Sequence, residues 1–209
     1  LNGPPGTGKT SIIVKELVRE LYKNENCNIL LLAYTNRAVD ELCETVNNAI
    51  INFDDKNDGN VNYGRTDRNF VRIGGELSCS KEHQHNLLNN IIESEAKRLE
   101  NIGEKFSRES INTVLAKHRV FISTVASISG KTDIFNLKKF DIVIVDEASQ
   151  ILEPQIAGIL PKCSKFILIG DHKQLPAIVL QDPESSKTNN ELLESIGLLN
   201  RKNSLFERL

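Results

Sequence analysis

Short apolar runs that end in polar or glycine residues constrain this chain more than any other feature. Ile29-Leu-Leu-Leu-Ala33 is continuously apolar, the pattern of a strand buried on both faces of a parallel sheet. Phe70-Val-Arg-Ile73, Val120-Phe-Ile-Ser-Thr124, Asp141-Ile-Val-Ile-Val-Asp146 and Phe166-Ile-Leu-Ile-Gly170 are further strand candidates, the acidic-ended one strongly β-branched. Between them the spacing changes to a helical one. Ile12, Ile13, Leu17, Val18 and Leu21 predict a helix over 10–23, and Ala38, Leu42, Val46 and Ile50 predict the next. Strands alternating with helices imply an α/β doubly wound parallel sheet with right-handed crossovers. Residues 52–69, rich in Asn, Asp and Gly, read as an exposed loop, and 81–117 read as helices inserted on the sheet scaffold.

The 209 residues suit one large α/β domain with an insertion at about 75–117. The 39% hydrophobic and 26% charged content is that of an ordinary globular chain, and a net charge of −2 supplies no global basic field. No apolar run approaches the ~20 residues that span a bilayer, so no membrane is expected. The cysteines Cys27, Cys43, Cys79 and Cys163 are scattered without a C-x-x-C pair and read as free thiols of an intracellular compartment, cytoplasm or nucleoid or nucleus. Cys79-Ser-Lys-Glu-His83-Gln-His85 fits no standard zinc spacing and shows no fourth ligand.

Gly3-Pro4-Pro5-Gly6-Thr7-Gly8-Lys9-Thr10 matches G-x-x-x-x-G-K-[ST] in full. Its glycines let successive N–H groups turn inward onto a phosphate, and the helix opening at Thr10 and Ser11 adds its dipole. Lys9 can reach the β- and γ-phosphates of ATP, and the Thr10 hydroxyl can coordinate Mg²⁺. Such a loop follows a buried strand, yet only Leu1 and Asn2 precede it, and the chain has no methionine. The expectation is therefore a piece of a longer protein.

Asp146 and Glu147 follow a buried strand directly. An acid at the strand end can hold Mg²⁺, and the next can polarise a water for in-line attack on the γ-phosphate. In Gly170-Asp-His-Lys-Gln174-Leu-Pro176, Gln174 can hydrogen-bond the γ-phosphate or the attacking water. Ligands in open α/β sheets bind at the carboxyl ends of the strands, where all these motifs fall.

Together, Gly3–Thr10, Asp146-Glu-Ala-Ser-Gln150 and Gly170–Pro176 resemble motifs I, II and III of superfamily 1 helicases. Ala33-Tyr-Thr-Asn-Arg-Ala-Val-Asp-Glu-Leu42 resembles motif Ia, Ser123–Ser127 resembles the next nucleic-acid motif, and Ser204–Leu209 resembles the end of the first RecA-like domain. The wording is similar to the replication helicase–nuclease group, with the nonsense-decay RNA helicases as near neighbours. The resemblance implies a RecA-like P-loop NTPase fold and a 5′→3′ motor. It implies Lys9, Glu147 and Gln174 as catalytic, Thr10 and Asp146 as the metal site, and Thr35, Asn36 and Thr124 as contacts to single-stranded DNA or RNA. It also implies a second RecA-like domain carrying an arginine finger, without which the chain alone should hydrolyse ATP slowly or not at all.

Four rivals fit less well. A GTPase should carry an Asn-Lys-x-Asp motif, of which Asn200-Arg-Lys-Asn203 is a poor echo. Small-molecule kinases rarely place a pair like Asp146-Glu147 with a downstream Gly-Asp-x-x-Gln, and protein-remodelling ATPases share the pair but lack the Gln-Leu-Pro. A nucleotide-binding switch without turnover should have lost Glu147.

Overall fold

The computed structural model describes residues 1–2, 8–57, 70–171, 179–182 and 184–209, with the side chains of 9, 10 and 51–57 outside the description. The apolar runs become five strands: β1 (Ile29–Ala33), β2 (Phe70–Ile73), β3 (Val120–Thr124), β4 (Phe140–Val145) and β5 (Cys163–Leu168). They form one sheet in the order β2-β3-β1-β4-β5, and every pairing is parallel. Leu1 and Asn2 extend it beyond β5. The Leu1 amino group donates to Leu168 O at 2.8 Å, Gly170 N donates to Leu1 O at 3.1 Å, and Asn2 bridges Gly170 in parallel.

The continuous apolar runs have a direct cause. Successive side chains on a strand point to opposite faces, and both faces of this sheet are covered. Ile29, Leu31, Ala33, Val120, Ile122, Ile142 and Ile144 join one core with Val14, Val18, Leu42, Val46 and Ile50. Leu30, Leu32, Val71, Ile73, Phe121, Val143 and Val145 join a second core with Ile91, Val114, Val125 and Ile156. Truncating a fully buried leucine such as Leu42 costs about 2–5 kcal/mol in such a core.

Helix α1 (Lys15–Tyr22) follows a wider π-helical turn over Lys9–Val14, so the helix expected over 10–23 forms with its first turn expanded. Helix α2 runs Asn36–Asn57, past the point at which a loop was expected. The apolar spacing Val46, Ile50, Phe53 carries the helical period through the polar stretch, and period outweighs composition here. The remainder of that expected loop, 58–69, lies outside the described residues. Between β2 and β3 come a 3-10 helix over Glu76–Ser78, another over Lys81–Asn86, then α3 (Leu88–Asn101) and α4 (Arg108–Lys117). Ile91, Val114 and Leu115 of these helices share a core with the sheet.

Four short helices, α5 (Val125–Ser129), α6 (Ile134–Leu137), α7 (Glu153–Ile156) and α8 (Glu191–Ser195), precede α9 (Leu205–Arg208). Arg208 binds Glu153 in a fork, with Nε to Oε2 at 2.8 Å and Nη2 to Oε1 at 2.6 Å, and gives Nη1 to Ile196 O. Three chain segments are thereby tied beside β4. Arg72 is the largest fully buried side chain; it pairs with Asp40 at 3.0 Å and donates to Ser78 O, locking β2 to α2.

Candidate functional site

Strand register fixes where the site lies. Ala33 pairs with Thr124, Leu32 with Val145, Val145 with Leu168, and Asn2 with Gly170. Asn2 and the described residues that follow each strand therefore lie at one carboxyl edge: Asp171 after β5, Asp146-Glu147 after β4, Tyr34–Arg37 after β1 and Val125 after β3.

Gly3, Pro4, Pro5, Gly6 and Thr7 lie outside the described residues. Gly8, the last loop glycine, has φ 72°, and a Cβ there would fall 2.7 Å from Ile12 Cδ1. Only glycine takes that backbone without strain. Gly8 O accepts from Ile12 N at 2.7 Å and Ile13 N at 3.4 Å, which opens the π turn. Lys9 and Thr10 start this helix, and the dipole at a helix N-terminus favours an anion; Ser11 is exposed.

Asp146 is buried at the tip of β4, its N–H held by Leu32 O at 2.8 Å. Its Oδ1 accepts from Glu147 N at 3.0 Å. Glu147 sits at φ 52°, ψ 36°, the one non-glycine residue with positive φ among the described residues. That turn sends the chain back under β5: Ala148 N donates to Ile169 O at 2.8 Å, and Asp171 N donates to Ser149 Oγ at 3.4 Å. Gly170 makes this approach possible, since a Cβ would meet Ser149 N at 3.0 Å and the Phe206 ring at 3.2 Å. Gln174 lies outside the described residues.

Thr35 caps α2, with Oγ1 accepting from Ala38 N at 3.1 Å, and Tyr34, Thr35, Asn36 and Arg37 are all exposed at the edge. Thr124 is buried. Its hydroxyl accepts from Ser127 N at 3.0 Å and donates to Ser127 Oγ at 2.9 Å. Its hydroxyl is thereby committed to fixing the loop end after β3. Sequence reasoning passed over Tyr34 and Arg37, an aromatic ring and a cation flanking the polar pair. Their position on a loop after a strand was the available signal. It also passed over Ser149 and the Glu153–Arg208 fork, whose partners are distant in sequence.

A five-stranded parallel sheet covered on both faces, with an acidic pair at its carboxyl edge, is a RecA-like α/β fold. The chain belongs to the AAA domain family, whose profile matches residues 1–97 and 78–182. It is 31% identical over 99% of its length to the DNA replication ATP-dependent helicase/nuclease DNA2 of Homo sapiens, and 31% over 86% to that of Saccharomyces cerevisiae. It is 26% identical over its whole length to a regulator of nonsense transcripts 1 homolog of Neurospora crassa. Both groups read from the motifs are therefore among its relatives. It spans 16%, 10% and 18% of those three proteins. Among solved structures, the UvsW helicase of bacteriophage T4 aligns over 81% of this chain and 45% of its own, at 16% identity and TM-score 0.47. No described helix is long and apolar enough to cross a membrane.

Proposed function

We propose that residues 1–209 are the first RecA-like motor domain of an ATP-dependent helicase or translocase that moves on single-stranded nucleic acid, with 75–117 as its mainly helical insertion. The observation that carries this reading is the common carboxyl edge. Asn2, the acidic pair and the Tyr34–Arg37 loop share that edge by strand register, which supports this reading. The named activity of the relatives, ATP-dependent helicase/nuclease, supports nucleotide use.

In this reading Gly3–Ser11 cradle the phosphates and Lys9 grips the β- and γ-oxygens. Thr10 and Asp146 would hold Mg²⁺, which when bound neutralises phosphate charge. The buried Asp146 carboxylate, oriented by the Glu147 N–H, suits that task. Glu147 takes the proton of the attacking water, from a left-handed backbone position just past the end of β4. Gln174 senses the γ-phosphate. Thr35 and Asn36 hold the backbone of the strand, Thr124 fixes the neighbouring loop, and Tyr34 offers a ring on which a base can stack. DNA is favoured over RNA by the higher identity to the replication enzymes. An intracellular setting is supported by four free cysteines. A second RecA-like domain supplies the arginine finger, whose absence costs about 10³–10⁵ in rate.

The test is ATP turnover by the chain joined to that second domain, with and without single-stranded DNA, across a salt series. Turnover should rise with DNA, fall as salt weakens binding, and vanish in Glu147→Gln while ATP binding persists. Turnover that persists in Glu147→Gln, or is indifferent to DNA and RNA alike, would overturn the reading.

A further inference from the structure

Far from the phosphate loop in sequence, α2 and the 3-10 helix over Lys81–Asn86 bring together three groups that the proposed motor does not use. A carboxylate oxygen of Glu44, one of Glu82 and a ring nitrogen of His83 lie within 4.8 Å of one another. The two glutamates are exposed, whereas His83 is only 7% exposed. Its ring packs edge-on against Phe70 with centroids 6.2 Å apart, and its Nε2 is buried with no hydrogen-bond partner.

The charges are unbalanced in the same place. Asp40, one turn before Glu44 on α2, is committed to Arg72 at 3.0 Å and accepts from Ser80 N at 3.3 Å. No ion pair compensates Glu44 or Glu82 among the described residues. Two carboxylates and a nitrogen of the buried His83 ring thus converge, with no Lys or Arg paired to them among the described residues. Burial also holds the His83 ring below its ordinary value, against the upward pull of Asp40, Glu44 and Glu82.

We propose that Glu44, Glu82 and His83 form a binding site for a divalent transition-metal ion of the Zn²⁺ class. Imidazole with carboxylates suits such ions, whereas Mg²⁺ and Ca²⁺ take oxygen donors alone. Donors sharing one tetrahedral zinc ion at about 2.0–2.2 Å lie roughly 3.3–3.6 Å apart, and the flexible, exposed glutamates can close that difference. The ligands differ from the Cys79, His83, His85 set in the sequence, of which only His83 takes part. The ion would pin α2 to the segment after β2, two turns from the exposed Tyr34–Arg37 loop.

The test is Zn²⁺ titration calorimetry on the chelator-treated chain, without nucleotide or Mg²⁺. The wild type and Asp146→Asn should bind one Zn²⁺ alike, which separates this site from the Asp146 edge. Removing a mere outer partner of a metal ligand costs about 10–100-fold, so the double variant Glu44→Gln/Glu82→Gln, changed only at exposed positions, should bind at least that much more weakly. Zn²⁺ should raise the thermal midpoint of the wild type and not of the double variant. Co²⁺ in place of Zn²⁺ should give a d–d spectrum without a thiolate charge-transfer band. Absence of Zn²⁺ binding by the wild type, equal binding by the double variant, or a thiolate band would each overturn the proposal.

Discussion

Glu147 offers a prediction in which backbone and side chain can be separated. At φ 52° it lies in the left-handed region, which costs an L-residue about 1–2 kcal/mol. Glycine escapes that strain but loses about 0.5–1 kcal/mol more conformational freedom on folding than alanine does. Replacement by either residue removes the carboxylate, so the pair isolates the backbone. Glu147→Gly should be more stable than Glu147→Ala by about 0.5–1 kcal/mol, the reverse of their order at an ordinary position. With a urea slope of about 2 kcal/mol/M, that separates the two unfolding midpoints by ~0.3–0.5 M. Urea titration followed by circular dichroism is the assay. A lower midpoint for Glu147→Gly would show that the turn carries no strain and would refute the reasoning.

Gly170→Ala sets a Cβ 3.0 Å from the backbone N of Ser149; it should cost about 1–3 kcal/mol in urea unfolding, and no loss would refute the tight approach of the two strand-end loops. Arg208→Ala leaves the buried Glu153 carboxylate without its fork, and should cost about 2–3 kcal/mol, below the 3–5 of a fully buried pair because Arg208 is partly exposed; Glu153→Gln should cost less, and the opposite ranking would count against the fork. Burial raises all four thiols, with Cys163 moved from 9.0 to about 11. Between those values the unfolded chain has shed the Cys163 proton and the native chain keeps it, so stability should fall as pH rises through this window. Cys163→Ala should flatten that fall, and an unchanged profile would contradict the assignment.

The strands were legible in the sequence because both faces of the sheet are covered, so each strand stands out as an unbroken apolar run. The end of α2 was harder to read, because Asn and Asp at 52–57 mimic a loop while the spacing of Val46, Ile50 and Phe53 stays helical. The acidic pair was legible from its place after a β-branched strand. Its left-handed turn was not, since no residue type announces φ 52° at a glutamate. Gly170 read as a strand end, and its reason emerged only with Ser149 and Phe206 packed against it. The convergence of Glu44 with Glu82 and His83 depends on α2 lying beside the segment after β2, a pairing that local spacing does not encode.

The central claim is that the carboxyl edge of this sheet is a nucleotide site built around Lys9. Equilibrium binding of a fluorescent ATP analogue with Mg²⁺, measured for the chain and for Lys9→Ala, tests it most directly. The account predicts saturable binding that competes with ATP in the wild type and is lost in Lys9→Ala. Equal binding by the two proteins would contradict it.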